Sequence, residues 1–256
     1  MGWMTGKNVL VTGLANERSL AFAIAQQLAA EGATLALTYQ GEALRDRVGK
    51  LAETLDTRLV LPCDVSQDED VDQLFTTLRR EWGGLDGLVH AIAFAEKTDL
   101  EGPYYNVSRR GFLLAMEIGA YSFTALARGA APLMEGRGGS MLTLTYFGAE
   151  KVIPHYNIMG VTKAALEASV RYLANDFGGA GIRVNAISAG PIKTLSARGV
   201  RDFNEMLSHV AEKAPLRRNI TAEDVGHTGL FLLSDRSAGI TGEILHVDCG
   251  YNVMGM

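Results

Sequence analysis

Short apolar runs alternate with amphipathic segments along almost the whole chain of 256 residues. Strands buried on both faces are typical of a parallel sheet, because helices then cover each side of it. The runs that are short and apolar enough to form such strands cover residues 8–12, 33–38, 58–61, 85–90, 140–145, 181–188 and 243–247. The pattern therefore predicts an α/β protein in which strands and helices alternate.

Amphipathic segments fill the intervals between these strands, and in the first of them Leu20, Ile24 and Leu28 recur at helical spacing. Ser66, with Glu69 three residues later, has the register of a capping box, so we expect a helix to begin at Ser66. Helices are expected at about residues 19–32, 41–54, 66–82, 109–134, 156–177 and 221–233. No linker or repeat interrupts the pattern. We predict one domain over residues 1–256, a Rossmann-type doubly wound parallel sheet of about seven strands with helices on both faces.

Composition narrows the classes of protein to which the chain can belong. Apolar residues make up 47% of it and the formal net charge is −5, which favours a packed core and disfavours nucleic-acid binding. Cys63 and Cys249 have no neighbour at metal or redox spacing, and the five histidines form no H-x-x-x-H pair, so we expect no metal site. Without a signal-peptide core or a long apolar run, we expect a cytoplasmic protein with no membrane segment.

The turn after the first strand has features of a phosphate-binding turn. Gly13 permits a tight turn, Ser19 offers a hydroxyl, and the helix that follows presents free N–H groups to a pyrophosphate. In a doubly wound sheet this turn lies where the strand order reverses, which is where dinucleotides bind. Two glycines of the G-x-G-x-x-G pattern are missing, however, and an ordinary strand–helix turn fits as well.

The ends of the second and third strands indicate which dinucleotide would bind. Gln40 follows the turn at about the distance where such folds place the residue that contacts the ribose. A neutral amide can bond ribose hydroxyls, and residues 39–42 include no cation for a 2′-phosphate, which favours NADH over NADPH. Arg45 and Arg47 on the next helix leave NADPH open. Asp64 is a candidate for the adenine edge, although a plain loop acid fits nearly as well.

Tyr156 and Lys163 are the principal candidates for catalysis. If the helix reaches back to Tyr156, the two side chains lie two turns apart on one face and converge on one cavity. A nearby ammonium lowers the pKa of a phenol, so the pair can polarise a carbonyl or stabilise an oxyanion. The spacing alone also fits a tyrosine packed in the core and a lysine in solvent.

These motifs resemble the short-chain dehydrogenase/reductase superfamily over essentially the whole chain. The departures from its majority pattern are informative. Met159 stands where most members have the tyrosine of Tyr-x-x-x-Lys, Tyr146 stands at the usual serine, and residues 90–95 replace an Asn-Asn-Ala-Gly run.

Three motifs together closely resemble bacterial enoyl-[acyl-carrier-protein] reductases of the FabI type: Gly13-x5-Ser19-x-Ala21, Tyr146-x9-Tyr156-x6-Lys163 and the Gly-Pro-Ile-Lys-Thr run at residues 190–194. The resemblance implies a homotetramer that uses NADH for the last reduction in each cycle of fatty-acid elongation. Its substrate would be an enoyl thioester on acyl carrier protein.

The resemblance also implies roles for individual residues. Tyr156 would bond the thioester carbonyl and stabilise the enolate formed when hydride reaches the β-carbon. Lys163 would hold the nicotinamide ribose, Tyr146 would line the acyl pocket and assist, and Ala95 would touch the acyl chain. The residues for which cofactor contacts are implied are Gly13, Ser19, Leu20, Gln40, Asp64, Val65, Ile92, Lys163, Ile192, Lys193, Thr194, Leu195 and Ser196.

The spacing of seven residues between Tyr156 and Lys163 suggests the reaction type. Compared with Tyr-x-x-x-Lys, it moves the phenol one helical turn further from the lysine. An enoyl reductase delivers hydride two carbons away from the carbonyl carbon, so its acid must meet a displaced oxygen. The shifted tyrosine suits that task.

Residues 193–215 form a polar segment with scattered apolar side chains, and we expect them to act as a substrate-binding lid. Two other functions stay open. One is a carbonyl or alcohol oxidoreductase of the same superfamily, against which the missing Tyr-x-x-x-Lys argues. The other is a nucleotide-binding protein without catalysis, since a fold alone never establishes turnover.

Overall fold

The computed structural model describes residues 2–193 and 203–255, and one parallel sheet forms the centre of this part of the chain. Its strands are β1 (Asn8–Val11), β2 (Thr34–Tyr39), β3 (Leu59–Pro62), β4 (Gly87–His90), β5 (Ser140–Thr145), β6 (Arg183–Ala189) and β7 (Ile244–Val247). Their order in the sheet is β3-β2-β1-β4-β5-β6-β7, and each adjacent pair is parallel. The predicted doubly wound sheet is therefore confirmed.

Helices cover both faces of the sheet. They are α1 (Leu20–Ala30), α2 (Glu42–Thr54), α3 (Asp68–Trp82), α4 (Lys97–Leu100), α5 (Arg109–Met116), α6 (Ser122–Met134), α7 (Ile158–Gly178), α8 (Phe203–Lys213) and α9 (Ala222–Leu233). One core cluster packs α1, α2 and α9 against the sheet, and a second cluster packs α3, α6 and α7 against its other face. Within residues 2–193 and 203–255, no helix combines the length and the apolar character that a membrane span needs.

Two predicted helices differ in detail from the structure. The single helix predicted over residues 109–134 is α5 and α6 joined by a π-helical turn, Glu117–Tyr121. The predicted helix start at Ser66 is wrong, because α3 begins at Asp68. The carboxylate of Asp64 accepts the backbone N–H and the hydroxyl of Ser66, at 3.0 and 2.8 Å, and this local turn takes the place of the capping box.

The strand order opens a crevice in the middle of the sheet. β1 and β4 are neighbours, although β2 and β3 separate them in the sequence. The chain therefore leaves the carboxyl ends of β1 and β4 in opposite directions, and ligands of open α/β sheets bind at such a point. The turn at Gly13 and the segment that begins at Ala91 both start at this crevice.

Candidate active site

A cavity of about 480 Å³ opens at this crevice. Its wall is formed by the turn after β1, the segment after β4, the end of β5 with α7, and the start of α8. The residues predicted from the sequence that lie in this wall are Gly13, Ser19, Leu20, Ala95, Tyr146, Tyr156, Lys163 and Ile192. The fold thus brings together residues that are far apart in the chain.

Gly13 is required by the geometry of the first turn. Its φ is +84°, in the left-handed region that favours glycine, and a Cβ atom here would overlap the carbonyl oxygen of Ala91. Ala91 follows β4 directly. The missing side chain therefore lets the two sides of the crevice touch and leaves bare backbone at the point where a pyrophosphate would approach.

Gly13→Ala is expected to lower the free energy of unfolding by about 2–4 kcal/mol, because left-handed strain and overpacking act together. The affinity for NADH should fall as well, since the turn must move. Urea unfolding and NADH titration measure the two effects. Gly49→Ala is the matched control, because Gly49 lies inside α2 with open space at its Cβ position, and the change should stabilise slightly. Equal stability of the two variants would contradict the argument.

The side chain of Ser19 closes the turn between Gly13 and α1. Its hydroxyl oxygen accepts hydrogen bonds from the backbone N–H groups of Ala15 and Asn16, both at 3.1 Å. These two contacts do not use the hydroxyl proton. Phe22 and Ala23 donate their N–H groups to the carbonyl of Ser19, which leaves the N–H groups of Leu20 and Ala21 at the start of α1 for a ligand. The turn therefore presents several donors to the cavity, as a pyrophosphate site requires.

Gln40 and Asp64 bond each other at the carboxyl ends of β2 and β3, where the Gln40 amide Nε2 donates to Asp64 Oδ2 at 3.0 Å. Burial opposes ionisation of Asp64, but hydrogen bonds from Gln40 and Ser66 outweigh it, and the pKa of this carboxyl lies below its ordinary value. A carboxylate therefore stands beside the amide that was predicted to contact a ribose. The sequence did not indicate this pairing.

The other predicted cofactor residues lie outside the cavity wall or outside the described part of the chain. Val65 is buried and Ile92 partly buried at the ends of β3 and β4, and Lys193 is exposed. Thr194, Leu195 and Ser196 fall outside the described residues. The two arginines that could have bound the 2′-phosphate of NADPH both contact other groups. Arg45 pairs with Glu42 at 3.3 Å, and Arg47 donates to the carbonyl of Ala15 at 3.5 Å.

Tyr156 does not belong to the helix that carries Lys163. α7 begins at Ile158, and Tyr156 is flanked by His155 and Asn157, whose φ angles are +61° and +35°. Residues other than glycine are strained in this region, and such strain clusters at functional sites. The predicted placement on one helical face is therefore wrong, but both side chains line the same cavity.

Two phenols form one wall of the cavity. A Cβ atom at Gly148 would lie 2.5 Å from a ring carbon of Tyr156, so the ring packs closely against a bare backbone. Tyr146 meets Tyr156 edge-on, with 5.1 Å between the ring centroids and an angle of 75° between the planes. The hydroxyl of Tyr146 donates to Met206 Sδ at 3.3 Å, which joins α8 to this wall.

Lys163 is buried, and its ammonium Nζ donates to the carbonyl of Leu144 at 2.8 Å. Burial lowers the pKa of this ammonium to about 8, while the charge of Glu167 acts in the opposite direction. An ammonium carries three N–H donors, so two are left beyond the bond to Leu144. These two donors suit the hydroxyls of a ribose.

Both phenols stay protonated near neutral pH. Burial raises the pKa of Tyr146 to about 12, and Tyr251 adds to the effect. Burial, Tyr146 and Glu167 together raise the pKa of Tyr156 well above its ordinary value. The expectation that Lys163 lowers the pKa of this phenol is therefore wrong. Tyr156 is a neutral hydrogen-bond donor, because loss of hydration raises its pKa and the neighbouring Tyr146 and Glu167 raise it further.

Several residues of the wall gave no functional signal in the sequence. Phe94, Leu100 and Met159 line the cavity, but apolar side chains at these positions fit an ordinary core equally well. Only the comparison of Met159 with the superfamily's tyrosine position drew attention to it. Gly148 lies in a loop where glycine is common, so its packing role was not visible.

The arrangement fits a nicotinamide dinucleotide and an apolar substrate. Any side chain at position 13 would fill the space beside Gly13, and the Ser19 hydroxyl and the first N–H groups of α1 match a pyrophosphate. The free N–H groups of Lys163 match a ribose. The apolar wall beside the two phenols leaves room for an extended chain.

Comparison with known proteins identifies the family. Residues 13–252 match a family model described as enoyl-(acyl carrier protein) reductase. An enoyl-[acyl-carrier-protein] reductase [NADH] FabI from Bacillus cereus is 54% identical over 257 aligned positions that cover all of both chains.

Two solved structures are similar throughout. An enoyl-(acyl-carrier-protein) reductase from Anaplasma phagocytophilum, in complex with NAD, has a TM-score of 0.96 at 55% identity and covers 100% of this chain and 97% of its own. The enzyme from Bacillus cereus with NADP+ and indole naphthyridinone has a TM-score of 0.98 at 54% identity and full coverage of both chains. This chain belongs to the enoyl-(acyl carrier protein) reductase family.

Proposed function

We propose that this chain uses Tyr156, Tyr146 and Lys163 to reduce the trans-2 double bond of an enoyl thioester on acyl carrier protein, with NADH as reductant. This reaction is the last step of the fatty-acid elongation cycle. The family and the named relatives support the reaction. The observation that supports the residue roles is the convergence of two phenols and a buried ammonium on one cavity.

Tyr156 acts on the carbonyl of the substrate. Its hydroxyl stays protonated, so it donates to the thioester oxygen and stabilises the negative charge that develops there when hydride adds at the β-carbon. A proton then adds at the α-carbon of the enolate. Tyr146 assists by holding the Tyr156 ring edge-on and by lining the acyl pocket with Ala95.

When bound, NADH supplies the hydride. Gly13, Ser19 and Leu20 would hold its pyrophosphate through the turn and the first N–H groups of α1. Lys163 would hold the nicotinamide ribose, and its charge supports the developing oxyanion. The adenosine half would lie along Gln40, Asp64, Val65 and Ile92, and the nicotinamide half along Ile192, Lys193, Thr194, Leu195 and Ser196.

The position of Tyr156 favours reduction of a double bond over reduction of a ketone. Tyr156 lies two residues before α7, displaced from Lys163, which stands in the second turn of that helix. In an enoyl thioester the carbonyl oxygen is likewise displaced from the carbon that receives hydride. A ketone would need the phenol next to that carbon.

NADH oxidation with a trans-2-enoyl thioester, and in parallel with a 3-ketoacyl thioester, tests this function. We expect turnover of the enoyl substrate and a kcat/KM at least about 100-fold lower for the ketone, the effect of a misplaced oxyanion donor. Turnover of the ketone alone would overturn the proposal in favour of a carbonyl reductase. NADH binding without turnover of either substrate would mean a nucleotide-binding protein.

Asp64 is expected to disfavour NADPH, because its carboxylate is bonded to Gln40, the proposed contact of the adenosine ribose, and would repel a 2′-phosphate on that ribose. Asp64→Asn should therefore raise kcat/KM with NADPH about fivefold relative to NADH, the effect of removing one repulsion of about 1 kcal/mol. Steady-state kinetics with both cofactors measure this ratio. Asp46→Asn, an exposed change on α2, is the control. An unchanged ratio in Asp64→Asn would contradict this role.

We also propose that residues 193–215 act as the substrate-binding lid of a single catalytic domain. Phe203 and Met206 of α8 line the cavity, and Met206 accepts the hydrogen bond from Tyr146. The support comes from α8, since residues 194–202 fall outside the described part of the chain. Side chains from α8 would exclude water from the acyl pocket.

Exposed apolar side chains support a homotetramer, and unpaired cysteines support a cytoplasmic location. Four apolar side chains on neighbouring helices are 37–75% exposed, and no other described residue covers them: Leu113 on α5, Tyr121 in the turn after it, and Val161 and Tyr172 on α7. A second copy of the chain would cover such a face through a symmetric interface. The cysteines within the described residues are unpaired and buried, as is usual in a reducing compartment.

A further inference from the structure

Glu167 is a buried carboxylate that the reaction described above does not use. It lies on α7 one helical turn after Lys163, so the two side chains share a face of the helix. Both are only 7% exposed. Carboxylates are seldom buried to this degree without a partner that requires their charge.

The end of β5 links Glu167 to the cavity. The hydroxyl of Thr145, which is itself buried, donates to Glu167 Oε1 at 2.7 Å. The residue before it, Leu144, provides the carbonyl that holds the ammonium of Lys163. The residue after it is Tyr146, which lies in the cavity wall. Residues 144–146 therefore link the carboxylate of Glu167, the ammonium of Lys163 and the phenol of Tyr146.

Titratable groups on three elements face Glu167, and so does the neutral phenol of Tyr156 just before α7. Lys163 and Arg171 lie one turn to either side on α7, Glu150 follows β5, and His246 comes from β7 and contacts Glu150 at 2.8 Å. Burial and Glu150 raise the pKa of Glu167, whereas the bonded hydroxyl, Arg171 and His246 lower it. The charge of Glu167 in turn opposes the lowering of the Lys163 pKa by burial.

We propose that Glu167 is a positioning residue for enoyl reduction, whose carboxylate supports the buried ammonium of Lys163 one helical turn away and fixes, through Thr145, the end of β5. The inference rests on the proposed function of Lys163. Glu167 acts on Lys163 across one helical turn, while the ammonium donates to Leu144. A direct ion pair would occupy the N–H groups that Lys163 offers to the ribose.

The direct test is the titration of Lys163 in ligand-free protein by 15N NMR of the lysine side chains. The signal absent from Lys163→Met identifies the residue. Glu167→Gln removes the charge but keeps the volume and an acceptor for Thr145. Its Lys163 titration midpoint should lie lower than in the native protein by roughly half to one pH unit. An unchanged midpoint in the folded variant would overturn the inference.

Two controls separate charge from shape. Asp176→Asn removes an exposed carboxylate from the same helix and should leave the midpoint where it is. Thr145→Val removes the hydroxyl at constant shape and should lower kcat/KM about tenfold. Thr145→Ser keeps the hydroxyl, so its kcat/KM should stay close to that of the native protein. Equal activity of the Val and Ser variants would refute the role of Thr145.

The pH profile of kcat/KM gives the functional readout. At pH 6.5 Lys163 is protonated even without the carboxylate, so kcat/KM of Glu167→Gln should fall less than about twofold there, and about three- to eightfold at pH 8.5. If Lys163→Met kept full activity, the proposed function of Lys163 would fail. If Lys163→Met were inactive while Glu167→Gln followed the native profile, only the inference about Glu167 would fail.

Discussion

Tyr156→Phe is expected to lower kcat about 100- to 1,000-fold, the loss seen when one donor to a developing oxyanion is removed. The hydroxyl of Tyr156 is the proposed donor to the thioester oxygen, and its raised pKa keeps the proton in place. The phenylalanine ring keeps the edge contact with Tyr146 and the close packing on Gly148. The affinity for NADH and the melting temperature should therefore change little.

Steady-state kinetics, NADH titration and thermal unfolding check this expectation together. Tyr105→Phe is the matched control, because Tyr105 is 83% exposed and does not belong to the cavity wall. It should behave as the native protein does. Full enoyl reduction by Tyr156→Phe would contradict the proposed role of the phenol.

Lys163→Met has the second large expected effect. The variant loses two free N–H donors of a charged group, each worth about 1.5–3 kcal/mol, so kcat/KM should fall at least about 100-fold and the Kd for NADH should rise. Stability at neutral pH should change little, because the desolvation cost of the ammonium disappears while the carbonyl of Leu144 loses its donor and Glu167 loses a neighbouring cation. Kinetics, fluorescence titration of NADH and urea unfolding measure these quantities.

The same variant changes how stability depends on pH. The pKa of Lys163 in the folded chain is about 8, below its ordinary value of 10.5, so between these values the unfolded chain binds more protons. The contribution of Lys163 to the free energy of unfolding therefore rises with pH from about 8 to about 10.5. Lys163→Met should lose this rise, while the exposed Lys151→Met keeps it. If the free energy of unfolding rose equally with pH in both variants, Lys163 would not have the lowered pKa of a buried ammonium.

The sheet could be predicted because its strands are buried on both faces. Leu10 of β1, Leu37 of β2 and Val89 of β4 have no exposed surface, so each strand is a continuous apolar run in the sequence. Such runs, separated by amphipathic helices, indicate a parallel sheet covered on both faces, and no contact has to be known for this prediction. The same pattern predicted that the turn at Gly13 lies where the strand order reverses, whereas the structure alone shows that β1 and β4 form this crevice.

Polar contacts between distant residues could not be predicted in this way. The bond between Gln40 and Asp64 joins two strand ends, and no periodicity reports it. Asp64 also explains why α3 does not begin at Ser66 as predicted. Its carboxylate accepts the N–H and the hydroxyl of Ser66, so Ser66 does not cap α3. The bond from Thr145 to Glu167 likewise depends on the packing of α7 against β5.

The chemistry of Tyr156 depended on three-dimensional context as well. Spacing along an ideal helix placed it on the same face as Lys163, but the backbone has a positive φ at Asn157, and α7 begins only at Ile158, after Tyr156. Charge alone suggested a lowered phenol pKa, whereas burial raises it. The motif located the two residues correctly in one cavity, and only the structure gave their protonation states.

The most direct test of the account follows the hydride itself. A trans-2-enoyl thioester is reduced in ordinary water with NADH that carries deuterium at both C4 positions, and the product is examined by NMR. We expect one deuterium at the β-carbon and none at the α-carbon, because the phenol stabilises an enolate that then takes its proton from water. Deuterium at the α-carbon, or a product without deuterium, would contradict it.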